Sequence, residues 1–207
     1  MTHPNKSEPL PGPEDALQRL LEEARACRVC EASLPLGPRP VLRAKASARI
    51  LIAGQAPGLR VHQTGVPWND PSGDRLRAWM GIGREAFYDD SRIAIIPSGF
   101  CYPGRDPRGG DLPPRAECAE TWLAPLMRLL PHIQFAVLAG AYAQRLHLGG
   151  RIQSTLTETV RSWREYAPRY LPLPHPSFRN NQWLKRNPWF ETEVLPYLRK
   201  RVRLLLR

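Results

Sequence analysis

Three short apolar runs, each ending at a glycine, constrain the fold of this 207-residue chain more than any other feature. They read ARILIAG at residues 48–54, RIAIIPSG at 92–99 and QFAVLAG at 134–140, and a fourth run, RYLPLPHPS, occupies 169–177. Continuous apolar runs of this length are typical of strands buried on both faces, and each is separated from the next by enough chain for a helix. The alternation predicts an α/β fold with three α/β/α layers around a central, mainly parallel four-stranded sheet.

Helices are expected between and around these strands. Residues 14–26 have leucines at helical spacing and acidic residues in the first turn, where the helix dipole favours them. Further helices are predicted at DRLRAWMGI, which follows residue 73, at RAECAETWLAPLMRLL, at AYAQRLHL and at 187–205. Ligands of such sheets bind at the carboxyl ends of the strands. The functional residues are therefore sought just after Ala53, Ile96, Ala139 and Leu173.

The length and composition favour a single domain over residues 14–207, and we expect the polar, proline-rich residues 1–13 to form a disordered tail. No run approaches the roughly 18 apolar residues that a membrane-spanning helix needs. The first residues also lack the apolar segment of a secretory signal. The sequence therefore predicts a cytoplasmic protein that does not contact a membrane.

The chain is strongly basic, because 30 lysine and arginine residues stand against 19 aspartate and glutamate residues, a net charge of +11. Arginine makes up most of the excess, and its planar guanidinium matches phosphate groups better than a lysine point charge does. A GC-rich coding sequence would explain the preference for arginine over lysine but not the net charge. The charge therefore favours a polyanionic partner, above all a nucleic acid.

The four cysteines fall into a C-x2-C pair, Cys27 and Cys30, and a wider pair, Cys101 and Cys118. A reducing cytosol argues against structural disulfides. Four thiolates that converge would bind zinc or an iron–sulfur cluster, and the spacing does not choose between them. Alternatively Cys101, which follows a strand, is buried as a small apolar residue.

The strand ending in G-Q-A-P-G, the four cysteines and the late strand ending in H-P-S occur in an order that resembles the uracil-DNA glycosylase superfamily. Within it, the chain is similar to the bacterial and archaeal families 4 and 5, which carry a 4Fe-4S cluster, and the resemblance spans roughly residues 20–200. It implies an enzyme that flips uracil, or another deaminated base, out of DNA and hydrolyses the N-glycosidic bond to leave an abasic site. It also implies a monomer whose 4Fe-4S cluster, or alternatively zinc, is held by Cys27, Cys30, Cys101 and Cys118.

The resemblance assigns Gln55, Ala56 and Gly58 to the motif that forms the base pocket and activates water. Family 4 reads G-E-A-P-G, with a glutamate implicated in catalysis, whereas Gln55 is a neutral amide that can orient water but cannot act as a base. Family 5 reads G-L-A-P-A and also lacks that carboxylate. Its next motif, F-T-G-D-x-S-G-D, corresponds to W-N-D-P-S-G-D at residues 68–74 and makes Asp70 the expected catalytic carboxylate.

Three further residues are assigned to the base by the resemblance. Trp68 falls where the family has an aromatic ring that stacks on the flipped base, the alternative being a core tryptophan. His175 matches the histidine of H-P-S, which donates to the charge that develops on the uracil oxygen. Ser98 stands near the place of an asparagine that reads the uracil edge in family 4. His62 has a counterpart in family 5 at a slightly different spacing, or is a solvent-exposed loop residue.

Contacts with DNA are expected from two polar segments. The loop after His175 suits phosphates or the gap left by the flipped base, and the turn-rich segment between Cys101 and Cys118 carries arginines that could meet phosphates. Some of these side chains are alternatively ordinary solvated surface. The residues concerned are Ser177, Arg179, Asn180, Asn181, Lys185 and Arg186 in and after the loop, and Arg105, Arg108 and Arg115 in the segment.

Two hypotheses compete with an active glycosylase. The first is a homologue that binds DNA or RNA but no longer cleaves it, which Gln55 favours and Asp70 opposes. The second is a zinc-stabilised domain with some other ligand. Cleavage of a uracil-containing oligonucleotide and the colour of the purified protein distinguish them.

Overall fold

The computed structural model describes residues 12–207 and contains one parallel sheet. Its four strands are β1 (Ile50–Ala53), β2 (Ile93–Ile95), β3 (Phe135–Ala139) and β4 (Tyr170–Leu173). Their order is β2-β1-β3-β4, and every neighbouring pair is parallel. From β1 the chain thus passes to β2 at one edge of the sheet, and it then returns to the other side of β1 to form β3. The ends of β1 and β3 therefore border the crevice in which ligands of such sheets bind.

Helices cover both faces of the sheet. The α-helices of the described residues are α1 (Pro13–Arg25), α2 (Leu59–Thr64), α3 (Pro71–Met80), α4 (Arg84–Tyr88), α5 (Ala116–Cys118), α6 (Ala124–Arg128), α7 (Ala141–Leu148), α8 (Leu156–Arg161), α9 (Trp163–Tyr166), α10 (Asn181–Arg186) and α11 (Leu195–Leu205). Short 3-10 turns lie at Glu31–Ser33, Gly149–Arg151 and Phe178–Asn180, and π-helical segments precede α6 and α11 at Ala119–Leu123 and Phe190–Val194.

The strands are apolar throughout because alternate side chains enter two different cores. Leu51 and Ala53 point into a core closed by α1, α6 and α7. Ile50 and Ile52 point into a second core closed by α3, α4, α8 and α11. All four of these side chains are completely buried. The predicted three-layer α/β/α fold is confirmed, and the sheet is parallel throughout.

Several predicted helix bounds need correction. α1 begins at Pro13, with Gly12 as its N-cap, so Pro13 belongs to the helix and not to the predicted tail; residues 1–11 of that tail lie outside the described residues. α3 begins at Pro71 rather than after residue 73, because Asp70 caps it. The predicted helix over RAECAETWLAPLMRLL is α5 and α6 joined by a π-helical segment.

In the part of the chain that the structure describes, none of the helices combines the length and the apolar character that crossing a bilayer would take.

Candidate active site

A cavity of about 480 Å³ opens at the carboxyl ends of the strands. Its walls come from the segments that follow β1, β2 and β4, from the start of α3 and from a hairpin between two of the cysteines. Among the predicted site residues, those that line it are Gln55, Ala56, Gly58, Trp68, Asp70, His175, Ser177, Arg179 and Asn180. The fold thus gathers into one cavity residues that are up to 125 positions apart (180 − 55).

Trp68 is held in an unusual backbone conformation at the edge of the cavity. Its φ of 55° lies in the left-handed region, which a bulky residue rarely adopts. Two glycines admit it: a Cβ at position 54 would lie 2.7 Å from Cζ2 of the indole, and one at position 73 would overlap the Trp68 carbonyl oxygen. The indole packs partly against the second core and also lines the cavity. Trp68 is therefore anchored by the core and also exposes part of its ring to the cavity.

His175 follows β4 and stacks on Trp68, with ring centroids 5.6 Å apart and planes inclined by 27°. Asn180 donates its side-chain amide to the His175 carbonyl oxygen at 2.7 Å. The ring also lies close to Gly140, which directly follows β3 and whose absent Cβ would be 3.3 Å from that of His175. The Trp68–His175 pair therefore sits over the crevice between β1 and β3.

Burial lowers the pKa of His175, and the nearby Asp70 carboxylate opposes that effect only in part. The imidazole is therefore neutral at neutral pH, since even the ordinary histidine pKa lies below that value. A neutral imidazole keeps one N–H donor, which can hydrogen-bond a developing oxyanion without first carrying a positive charge.

Asp70 has a structural role and also lies at the cavity. It is the N-cap of α3, and its Oδ1 accepts a hydrogen bond from the Gly73 N–H at 2.8 Å. Aspartate is a favoured N-cap, so capping alone would explain the residue type. Its carboxylate nevertheless lines the cavity and acts electrostatically on His175. One oxygen is therefore committed to the helix, while the charge is available to the site.

The side chain of Gln55 is already hydrogen-bonded within the protein. Its side-chain amide donates to the Leu112 carbonyl oxygen at 2.9 Å, across 57 positions of the chain. Ser98, the expected reader of the base edge, lies behind the cavity wall, where its hydroxyl donates to the Gly54 carbonyl oxygen at 2.8 Å. Pro97 lines the cavity in its place. The structure therefore does not bring the Ser98 hydroxyl to the site.

Residues 104–112 form a hairpin, which is the segment that Gln55 contacts. The Leu112 N–H donates to the Gly104 carbonyl oxygen and the Asp106 N–H to that of Gly110, both at 2.9 Å. Arg105 and Asp111 form an isolated bridge between its two arms. The hairpin leans over the cavity, which Gly109, Gly110 and Asp111 help to line.

Asp111 is a cavity carboxylate that sequence reasoning missed. Its Oδ2 lies 3.3 Å from where a Cβ of Gly58 would be. The residue as a whole is exposed, but burial of its carboxyl group against the cavity wall raises its pKa. Asp70 raises that pKa further, and Arg179 and Arg105 oppose the rise. In the sequence Asp111 follows two glycines, as aspartates in ordinary turns often do, so the local sequence does not mark it as a site residue.

The four cysteines are free thiols, of which Cys27 is half-buried and the other three are buried. Burial, with a smaller contribution from neighbouring cysteines, Cys27 and Cys30 among them, raises the pKa of Cys101 to about 12 and that of Cys118 to about 11. The four sulfurs are therefore close enough to interact electrostatically. A cation bound among them would stabilise their thiolates. Within residues 12–207, however, no three His, Cys, Asp or Glu side chains are already arranged to hold a metal ion.

The remaining predicted residues lie around the mouth of the cavity or away from it. Arg108 projects from the hairpin with 90% of its side chain exposed, and Lys185 lies on α10. Arg105 is on the hairpin, and Arg115 pairs with Glu117. His62 is neither a cavity residue nor solvent-exposed, since it is buried in α2 with its ring centroid 6.1 Å from that of Tyr102. Phe178, also missed from the sequence, lines the mouth and is 71% exposed.

A family model matches most of this sequence. The model of the Uracil DNA glycosylase superfamily matches residues 43–199, which is more than half of the chain. The chain therefore belongs to the uracil-DNA glycosylase superfamily, a superfamily of DNA-repair hydrolases, and the resemblance inferred from its motifs is confirmed at that level. The match includes every cavity residue named above, Cys101 and Cys118, but not Cys27 and Cys30.

Proposed function

We propose that the protein is a monofunctional uracil-DNA glycosylase, which flips uracil or another deaminated base out of DNA and hydrolyses its N-glycosidic bond to leave an abasic site. The observation that carries this proposal is the convergence of Trp68, Asp70 and a neutral His175 on one cavity at the carboxyl edge of the sheet. A single chain supplies all three, which supports a monomer as the active form. The cytoplasm remains the predicted location.

Base extrusion costs a few kcal/mol of stacking and pairing, so the protein has to offer replacement contacts. Trp68 supplies an aromatic face inside the cavity for the flipped base. Phe178 supplies an apolar side chain at the mouth, where it can fill the gap in the base stack. Arg179, Asn180 and Ser177 in the same loop are suited to the flanking phosphates.

Bond cleavage leaves positive charge on the sugar and negative charge on the base. His175 donates its N–H to the uracil oxygen on which the negative charge grows, which lowers the barrier without a proton first being taken up. Asp70 offsets the positive charge at the sugar and holds the attacking water. Gln55 supports the site indirectly by fixing the hairpin through Leu112.

A duplex and a single strand carrying one uracil, followed by alkaline cleavage of abasic sites, test the function directly. Asp70→Asn is the sharpest variant, because asparagine caps helices as well as aspartate does and removes only the charge. We expect its rate to fall about 100-fold or more, and that of His175→Ala about 100- to 1,000-fold. Asp90→Asn, a change of the same kind in the loop before β2, should keep the wild-type rate. Wild-type rates in both cavity variants would contradict the assignment.

We also propose that Cys27, Cys30, Cys101 and Cys118 hold a 4Fe-4S cluster, with zinc as the alternative. Bound there, the group would crosslink the segment after α1 to both ends of the segment that contains the hairpin, a structural and not a redox contribution. Iron and acid-labile sulfide in the purified protein support the cluster, and zinc without sulfide supports the alternative. Cys118→Ser should lose the bound metal and make residues 104–112 more sensitive to proteolysis. A metal-free wild-type protein with a protected hairpin would contradict both.

A binding protein without cleavage activity is the second candidate, and the neutral, already bonded Gln55 amide is the observation that favours it. It predicts preferential binding of uracil-containing DNA with no abasic product at any pH.

A further inference from the structure

We propose that Asp111 is a second catalytic carboxylate of this site and accepts the proton of the water that attacks the sugar. The inference rests on the proposed glycosylase function and adds to it a residue from outside the two motifs that define the pocket. Gln55 leaves the motif after β1 without a carboxylate, and Asp111 would supply one from another segment.

The position of Asp111 is the first support for this role. Its Oδ2 lies against Gly58, a residue of the motif that follows β1, and both residues line the cavity together with Asp70. Any side chain at position 58 would approach this carboxylate, since even a Cβ there would be 3.3 Å from Oδ2. Gly58 therefore leaves room for a carboxylate that arrives from another segment.

The hairpin is also held in register with the motif. Gln55 donates to the carbonyl oxygen of Leu112, the residue next to Asp111, and the hairpin is closed on itself by two backbone hydrogen bonds. Gln55 is thus a positioning residue for Asp111. Gln55 and Asp111 together would do what the single glutamate of the motif G-E-A-P-G does.

The charged and titratable groups that face Asp111 are Asp70 at the start of α3, Arg179 in the loop after β4, and Arg105 and Tyr102 on its own segment. Burial and the Asp70 charge raise the proton affinity of Asp111, and the two arginines keep it from rising further. A carboxylate with a raised pKa accepts a proton from water more readily than an ordinary aspartate does. Asp70 is less suited to this step, because its Oδ1 already accepts the Gly73 N–H.

The proposed step is balanced as a hydrolysis. The bond between C1′ and N1 of uracil breaks, and its electron pair leaves with the base, whose oxygen accepts the His175 N–H. The water oxygen forms a new bond to C1′, and the water proton passes to the Asp111 carboxylate. Asp111 then returns the proton to solvent, and the uracil anion is protonated from solvent. No oxidant, reductant or further co-reactant is needed.

The test is a single-turnover cleavage series at saturating enzyme across pH, with the wild-type protein, Asp111→Asn, Asp111→Glu and the control Asp90→Asn. We expect Asp111→Asn to be slower by about 100-fold or more and to lose the fall in rate on acidification that is expected of the wild-type protein. Asp111→Glu should recover part of the rate and retain that fall. The thermal unfolding midpoint, and the Kd for a duplex with a non-cleavable 2′-fluoro-deoxyuridine, should stay close to wild type in all three variants.

Three outcomes would overturn the assignment, and they differ from one another. If the wild-type protein cleaves uracil DNA and Asp111→Asn matches its rate and pH profile, only the role of Asp111 is wrong. If both Asp111 variants are equally slow and keep an unchanged acid limb, Asp111 is structural. If the wild-type protein binds uracil DNA but never cleaves it, the proposed function itself fails, and Asp111 loses its role with it.

Discussion

Phe178 is 71% exposed, an unusual exposure for a residue of its size and apolar character. It lies between Ser177 and Arg179 at the cavity mouth, on a 3-10 turn that directly follows the His175 loop. Exposure of this aromatic ring to water is unfavourable in the free protein. Contact with an unstacked base step would offset that cost.

Phe178→Ala is therefore expected to slow cleavage of uracil in a duplex by about 10- to 100-fold and in a single strand by much less, because a single-stranded base is already unpaired and largely unstacked. Rates on the two substrates, each relative to wild type, measure the difference. Leu204→Ala removes another exposed apolar side chain, near the C-terminus of α11, and should change neither rate. Equal slowing on both substrates would argue against a role in extrusion.

His147, a half-buried histidine on α7, has an Nε2 that is shielded from solvent and has no hydrogen-bond partner among the described residues. Burial lowers its pKa from the ordinary 6.5 to about 4. The unfolded chain therefore takes up a proton at a higher pH than the folded protein does. The free energy of unfolding should fall by roughly 3 kcal/mol as the pH drops from about 6.5 to about 4, and this contribution should be constant outside that window.

Urea unfolding at several pH values checks this prediction. His147→Gln should have a flatter dependence over the same window, whereas His132→Gln, which alters an exposed histidine, should follow the wild-type curve. A variant at position 147 with the full wild-type dependence would assign the acid sensitivity to other groups.

Some cavity residues belong to short local motifs and could be predicted, whereas others are placed by contacts between distant parts of the chain. The common location of Trp68, Asp70 and His175 could be predicted because each belongs to a short motif next to a strand or a helix start. Asp111 was missed because it reaches the cavity only through a hairpin whose position depends on Gln55, a contact across the fold. The Ser98 hydroxyl could not be oriented from sequence, since a serine after a strand can point to the cavity or back to the Gly54 carbonyl.

The start of α3 and the loop before it form one rigid unit. The Trp68 carbonyl oxygen occupies the space beside Gly73, and the Asp70 side chain bonds the Gly73 N–H. The left-handed backbone of Trp68 is thus stabilised by the first turn of the helix that begins at Pro71.

Gly73→Ala should therefore displace Trp68 and cost about 1–3 kcal/mol of stability, because the added methyl cannot be accommodated without a backbone shift. Gly150→Ala is the matched control, since a Cβ there would meet nothing within 4 Å. Urea unfolding gives the stability, and the cleavage rate on uracil DNA should fall only in Gly73→Ala. If Gly73→Ala is as stable and as fast as wild type, the loop adapts to the added methyl and the rigid unit is disproved.

The strands were predictable because both faces of the sheet are covered, so each strand is a continuous apolar run. The short helices α2 and α4 were not predicted, because five or six residues are too few to display helical periodicity. The start of α3 was placed too late because apolar spacing marks the middle of a helix, whereas the cap at Asp70 marks its beginning.

The net charge of +11 should make DNA binding strongly dependent on salt. Cations at the cavity mouth should contribute directly to phosphate contacts, whereas those at the opposite edge should not. Arg203 is of the second kind, because Arg49, which precedes β1, bonds the Leu205 carbonyl oxygen and so places this end of α11 at the amino edge of the sheet.

Arg108→Ala is expected to reduce the slope of log Kd against log salt by about 0.9 while leaving the single-turnover rate at saturation unchanged. Arg203→Ala makes the same change in net charge and should leave the slope as it is. Kd values measured for one duplex over a salt series decide the matter. Equal effects of the two variants would mean that the charge acts as a diffuse field rather than through the hairpin.

The hydrogen bond from Gln55 to Leu112 has a consequence for how this sequence can evolve. A glutamate at position 55 has no N–H to offer, so its carboxylate would face a carbonyl oxygen and repel the arm that carries Asp111. The single exchange that would turn G-Q-A-P-G into G-E-A-P-G is thus expected to be harmful in this chain unless the hairpin is remodelled first. The Gln55 amide and the position of the hairpin are therefore coupled through this one hydrogen bond.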